Sequence, residues 1–258
     1  MHIVNGHMAE NIYEQGMVMP PNAFGYIHLA AEVEKPFPLK PDSRRKKKLI
    51  ALLHPLAEQL RNLDNVNRVD IFTGLIIPPG SGEGQRFIAK EQLSVFIAQF
   101  DLVVLIECQT VDAIKTIAIH PVFQDLENKM TTASKAYLRT EAKNPHRIDE
   151  VNKNRQGIFL FNYFYAENTQ TVLDVWEYTA GWWTAHANLT NSTPLQPLTH
   201  GHPYSLINHC RWDRLPDIMP TLILGRLGIR RGLNQFVLKN FTANRIVAMP
   251  ILYKLALP

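Results

Sequence analysis

The sequence predicts an α+β protein built from two β-α-β-β-α-β halves, whose antiparallel sheets pack into one barrel within the chain. Three observations lead there. Apolar runs of strand length alternate with segments whose apolar residues recur every 3.6 positions. The order of these elements repeats in two halves. The strands are apolar on both faces, so each sheet needs cover on both sides.

Taken in order, residues 1–22 mix polar residues, glycine, proline and methionine, and form an N-terminal extension that stays mobile or docks on the body. A first half spans residues 23–140, a polar connection 141–156 and a second half 157–258. Ala23 to Val33 is the first strand, ended by Pro36 and Pro38. Asp42 or Ser43 then caps a helix with Leu49, Leu52, Leu53, Leu56, Leu60 and Leu63 at helical spacing, and Pro55 inside it predicts a kink. Val66 to Ile77 is the next strand. Gly80, Gly82 and Gly84 follow it, but no Lys-Ser/Thr pair and no helix start accompany them, so a phosphate cradle is not indicated. Phe87 to Phe96 reads as a short helix, Asp101 to Cys108 as an apolar strand, and Val111 to Asn128 as a helix interrupted at His120-Pro121. Ala133 to Thr140 closes the first half.

The second half opens with Gly157 to Ala166, a strand of aromatic and aliphatic residues. Asn168 and Thr169 offer N-cap oxygens to a helix with Val172, Leu173, Trp176, Ala180 and Trp183 on its apolar stripe. Asn191 to Pro203 reads as loop and Tyr204 to Trp212 as strand. Arg214 to Leu224 is a helix, Gly225 to Gly232 a loop carrying Arg226, Arg230 and Arg231, Leu233 to Ala243 helical, and Ile246 to Leu257 the last strand.

With 258 residues and 46% hydrophobic composition, the chain can bury a large core. Apolar runs are too short for a membrane span, and Met1 to Pro21 lacks the apolar region of a signal peptide, so a cytoplasmic location is expected. The net charge of +4 is mild, and the run Arg44 to Lys48 reads as a solvated face. No aromatic stacking platform or recognition helix accompanies it, so neither nucleic acid nor a membrane is expected as partner. Cys108 and Cys210, both in apolar strands, read as buried reduced thiols. None of the ten histidines has metal-site spacing.

The two halves share local register: Leu105 to Gln109 line up with Ile207 to Arg211, each ending a third strand before a helix. A β-α-β-β-α-β unit places both helices on one face of a four-stranded sheet. The bare faces of two such sheets, apolar here, are then buried against each other. At this point the chain resembles the dimeric α/β-barrel superfamily, in particular the ferredoxin-like units of the antibiotic-biosynthesis monooxygenase and stress-responsive barrel type. The resemblance covers the topology from about Ala23 onward, with the broken second helix AIHPVF at Ala118 to Phe123 as its motif. It implies a small hydrophobic organic molecule held between sheet and helices. Cofactor-free oxygenases, haem-dependent enzymes and proteins without activity all share such barrels, so function does not follow from fold. A cofactor-independent monooxygenase-like enzyme is one expectation, and a non-catalytic ligand-binding or oligomer-forming protein the other. Haem is the cofactor to consider, with His186 or His209 as axial ligand. Free sheet edges and surface aromatics suggest a homo-oligomer.

Candidate site residues lie in the second half. Asn162 interrupts an apolar strand, while His209 and Arg211 share one face of theirs and Asn208 takes the other. As a functional set, His209 would transfer protons and Arg211 would hold an anionic group; as a structural set, these residues would satisfy one another. Tyr178 and Trp182 flank the apolar stripe of their helix and, with His186, are candidates for a ligand pocket, with core or interface as the other reading, whereas Trp183, on the stripe, reads as core.

Overall fold

A computed structural model describes residues 1–9, 18–34, 41–78, 87–92, 95–218 and 233–257. The first half contains β1 (Gly25–Glu32), α1 (Arg44–Arg61), β2 (Val66–Ile76), β3 (Leu102–Cys108), α2 (Ala113–Ala118), α3 (Pro121–Ala133) and β4 (Ala136–Lys143). The second contains β5 (Ile158–Tyr165), α4 (Thr169–Ala187), β6 (Thr193–Pro197), β7 (Leu206–Trp212), a π-helical turn (Leu233–Leu238) continuing into α5 (Lys239–Ala243), and β8 (Val247–Leu255). The expected loop at Gly80 to Gly84, the end of the helix at Arg214 to Leu224 and the arginine loop at Gly225 to Gly232 lie outside the described residues.

The strands form a closed antiparallel barrel in the order β1-β3-β2-β8-β5-β7-β6-β4. Each half supplies four consecutive strands of the ring, β4-β1-β3-β2 and β8-β5-β7-β6. Two seams join them: Phe72 of β2 lies opposite Leu255 of β8, and Ala142 of β4 opposite Pro197 of β6. This is the duplicated ferredoxin-like arrangement expected from the element order. One strand was not expected. Thr193–Pro197 lies in the stretch that reads as loop because Pro194 and Pro197 remove two backbone donors. It pairs with β7 along Thr193 to Leu195 and meets β4 only at its end, so few ladder bonds are demanded of it. Closure also pairs the sheet edges on which self-association was to depend. Exposed apolar side chains such as Leu52, Phe96 and Ile119 are what remains for it.

Three apolar cores follow from this topology. One lies between the first sheet and α1, α2 and α3, joining Leu53, Leu60, Val104, Phe123 and Leu126. The second fills the barrel and the third lies between the second sheet and its helices. Local signals set the helix ends. The Ser43 hydroxyl accepts from Lys46 N, His120 Nδ1 from Val122 N, and Asn168 Oδ1 from Thr171 N. Part of the N-terminal extension docks: Val4 exchanges two hydrogen bonds with the Asn240 carboxamide on α5, at 2.9 and 3.0 Å.

The basic run at the start of α1 is exposed at Arg44, Arg45, Lys47 and Lys48, but Lys46 is 1% exposed. Its ammonium reaches Asp101 at 3.0 Å and Asp42 at 2.9 Å. Asp101, itself fully buried, also accepts from the backbone of Val33 at 2.6 Å. This cluster ties α1 to the ends of β1 and β3. Removing one partner of a buried pair strands the other charge. Asp101→Ala is therefore expected to cost about 3–5 kcal/mol in urea unfolding, and a loss below about 1 kcal/mol would show that Lys46 is satisfied without it.

The barrel interior holds His28 among aromatic rings. His28 Nε2 lies 3.3 Å from the Tyr163 hydroxyl, Tyr163 lies 3.5 Å from the Tyr253 hydroxyl, and Tyr253 donates to Phe100 O at 2.8 Å. Burial pushes the His28 pKa from 6.5 down to about 3, and burial together with the Lys153 charge holds His209 well below its ordinary value. Both imidazoles are neutral when folded, and the unfolded chain takes up their protons first. Their contribution is thus present above pH 6.5 and is lost as pH falls, for His28 toward about 3. Stability should drop by roughly 1 kcal/mol per pH unit for His28 over that window. Urea midpoints measured from pH 7 to 4 should fall less steeply in His28→Phe than in the parent chain; equal slopes would exclude His28 as a source.

Candidate functional site

Alternation along β5 and β7 gives the second sheet two different faces. Phe159, Phe161, Tyr163, Ile207, His209 and Arg211 belong to the barrel side. Leu160, Asn162, Phe164, Asn208, Cys210 and Trp212 face α4, the π-helical turn and α5. Between this second face and its helices lies a cavity of about 150 Å³. Trp176 and Trp183 of α4, Phe164 of β5, Phe241 of α5 and Pro250 of β8 wall it. An apolar cavity of that order holds a benzene-sized molecule.

The polar groups on its lining are few and uneven. Thr179 and Thr242 spend their hydroxyls on helix carbonyls one turn back, Val175 O at 2.8 Å and Leu238 O at 2.9 Å. Burial raises the Cys210 thiol well above its usual range, so it stays a neutral, unreactive thiol. Asn208 Oδ1 accepts from the buried Ser192 hydroxyl at 2.6 Å. Asn162 Oδ1 is buried and has no hydrogen-bond partner among the described residues.

The sheet divides the residues singled out in the sequence. Asn162 lines the cavity. His209 and Arg211 lie behind the sheet, on the barrel side. His209 is 1% exposed, donates from Nδ1 to Leu160 O at 3.2 Å, and stacks on Phe161 with 4.3 Å between ring centres. Its Nε2 has no partner among the described residues. Arg211 sits at the barrel mouth, where its guanidinium donates to Asp213 at 2.6 Å and to Gln156 O at 2.7 Å. It also packs against Gly157, where an added Cβ would lie 2.5 Å from Arg211 Nε, so the strand start must be glycine for the arginine to lie down.

On α4, Trp182 is 1% exposed and stacks on His186 at 4.7 Å, away from the cavity lining. Tyr178 packs on Phe236 with ring centres 5.4 Å apart. Trp183, which reads as core in the sequence, is the tryptophan that faces the cavity together with Trp176. Alternation sets Asn208 on the opposite face from His209, the face that lines the cavity.

A haem needs an axial ligand aimed into its pocket and room for a macrocycle. Among the described lining residues there is no histidine, tyrosine or methionine, no arginine or lysine stands ready for carboxylate groups, and Cys210 is a neutral thiol. The described lining residues do not fit a haem. Nor does any group of three His, Cys, Asp or Glu among the described residues fit a metal ion, and no described helix is long and apolar enough to cross a membrane.

No protein-family model matches the sequence, and no curated protein is detectably similar to it in sequence. Solved structures are similar in fold. An anthrone oxidase-like protein superposes with a TM-score of 0.63 at 9% identity, covering 93% of this chain and 94% of that one. A protein from Fusobacterium nucleatum subsp. nucleatum, provisionally described as a monooxygenase, gives 0.52 at 5% identity, covering 92% and 93%. A chlorite dismutase variant from Candidatus Nitrospira defluvii gives 0.47 at 13% identity, covering 90% and 91%. At such identities the likeness is one of fold. Eight antiparallel strands in two β-α-β-β-α-β sets, closed into one ring with helices outside, give the chain a duplicated ferredoxin-like α/β-barrel fold, with both units carried on a single chain.

Proposed function

We propose that the chain binds a small hydrophobic organic molecule in the cavity of its second half, and that its enzymatic role, as in the monooxygenase-like reading, is cofactor-independent oxidation of that molecule. One observation carries the binding reading: the Asn162 carboxamide oxygen is buried without a partner against apolar and aromatic walls. Leaving such an acceptor unmade costs roughly 1–3 kcal/mol, which a ligand donor would recover. The likeness to an anthrone oxidase-like protein supports an oxidative chemistry for this fold.

Oxidation without a cofactor requires the substrate to supply the electrons. An activated methylene does so in a balanced way with dioxygen as the oxidant. Both of its C–H bonds break, one oxygen atom stays on the carbon as a ketone, and the other leaves with the two hydrogens as water. The described lining offers no side chain that ionises near neutrality to take the first proton, so the substrate must be acidic itself. The same observation favours a second reading, a non-catalytic binding protein with the same cavity. His209 and Arg211 enter a catalytic proposal only from behind the sheet, as groups that position β7, because neither lines the cavity.

Mass spectrometry and absorption spectra of freshly purified protein under non-denaturing conditions, joined to oxygen-uptake assays with activated aromatic methylenes, separate these readings. A retained neutral organic mass without a Soret band is expected; oxygen uptake makes the protein an oxidase, and tight binding without uptake leaves a carrier. A Soret band would overturn the haem exclusion. Asn162→Leu should raise stability by about 1–3 kcal/mol in urea unfolding, because it removes an unsatisfied buried acceptor. A loss of stability would mean that the carboxamide is already satisfied in the free protein.

A further inference from the structure

Two carboxamides stand side by side on the floor of the cavity without bonding each other. Asn162 and Asn208 are direct partners in the β5–β7 register, which sets their Cβ atoms roughly 4.5–5.5 Å apart on the helix-facing side. Adjacent buried amides ordinarily satisfy one another, since an unmade buried hydrogen bond is costly. Here they do not. Asn208 turns its Oδ1 to the Ser192 hydroxyl, 2.6 Å away and fully buried. That bond commits the amide oxygen and leaves Nδ2 as the remaining donor of a side chain that lines the cavity. Asn162 Oδ1 accepts from nothing among the described residues. On its other side β8 presents Pro250, which has no N–H to give. An amide donor and an unpartnered acceptor thus lie next to each other on the wall of an aromatic cavity.

We propose that Asn208 Nδ2 and Asn162 Oδ1 form a donor–acceptor edge that recognises the amide edge of an uncharged aromatic lactam or carboxamide. The ligand carbonyl accepts from Asn208 and its N–H donates to Asn162, while its ring lies among Trp176, Trp183 and Phe164. The described lining holds no ionised side chain to offset a carboxylate or an ammonium, so charged analogues are excluded by their desolvation cost. The cavity volume of about 150 Å³ suits a single ring rather than a fused system. This inference rests on the cavity being the ligand site proposed above.

Three probes separate the two claims: benzene, 2-pyridone and N-methyl-2-pyridone, titrated into the full chain and followed by ligand-observed NMR and tryptophan fluorescence. Benzene reports on the cavity alone. Of the pyridones, only the unmethylated one presents both an N–H and a carbonyl. Benzene and 2-pyridone should both bind, and 2-pyridone about tenfold more tightly than its N-methyl derivative. Asn208→Leu and Asn162→Leu should each weaken 2-pyridone about tenfold and leave benzene within about twofold. Equal affinity for the two pyridones in the parent chain, with benzene bound, overturns the donor–acceptor edge and leaves the cavity reading standing. Failure of all three probes to bind overturns both. The pyridone comparison needs no variant, so it decides the matter even where a substitution impairs folding.

Discussion

Backbone hydrogen bonds between β2 and β8 and between β4 and β6 tie two four-stranded sheets into one ring, and the rest of the molecule is arranged around that closure. A closed ring buries one face of every strand in its interior. Helices then bury the other face, so both sides of β5 and β7 are apolar and their alternating side chains serve two separate cores. The barrel interior is packed with aromatic rings and two neutral histidines. The helix side is less completely filled, and the cavity lies there.

Polar groups in both cores are satisfied only in part, and His28 Nδ1 and His209 Nε2 in the barrel have no partner among the described residues. Inside the barrel, His28, Tyr163 and Tyr253 form a short chain that ends on a backbone carbonyl. At the barrel end, Lys46 and Asp101 neutralise each other and borrow backbone donors. Beneath α4, Asn162 sits opposite Asn208 with its Oδ1 unpartnered among the described residues, while Asn208 accepts from Ser192. Buried groups left unmade beside satisfied ones mark a surface shaped for something other than stability.

Much of the fold was legible in the sequence because period-2 and period-3.6 patterns depend on local chemistry: the buried face of α1 at Leu49, Leu53, Leu56 and Leu60, the caps at Ser43 and Asn168, and the break at His120-Pro121 all appear where the residues indicate, although Leu52 is exposed. The strand Thr193–Pro197 was not legible, since its prolines carry a loop signal and its pairing comes from β7 and β4 rather than from its own sequence. Alternation separated His209 and Arg211 from Asn208 correctly. It could not show that Asn162 lies opposite Asn208, because strand register is a tertiary property. That Trp182 is the core residue and Trp183 the one lining the cavity was not separable in the sequence for a similar reason. A difference of one residue is about 100° around a helix, and the exact orientation of α4 is set by what packs on it.

The seam between β2 and β8 joins Phe72 to Leu255, residues far apart along the sequence. Contacts of such long separation are slow to form, because a large loop must be closed before any bond rewards it. The first sheet can assemble with α1, α2 and α3 from local segments, yet its inner face stays uncovered until the last strand arrives. During that interval Phe72, Val103 and Leu105 present a sticky apolar surface to any other nascent chain. The kinetic hazard of this architecture is thus concentrated in its final strand, and it ends when the ring closes.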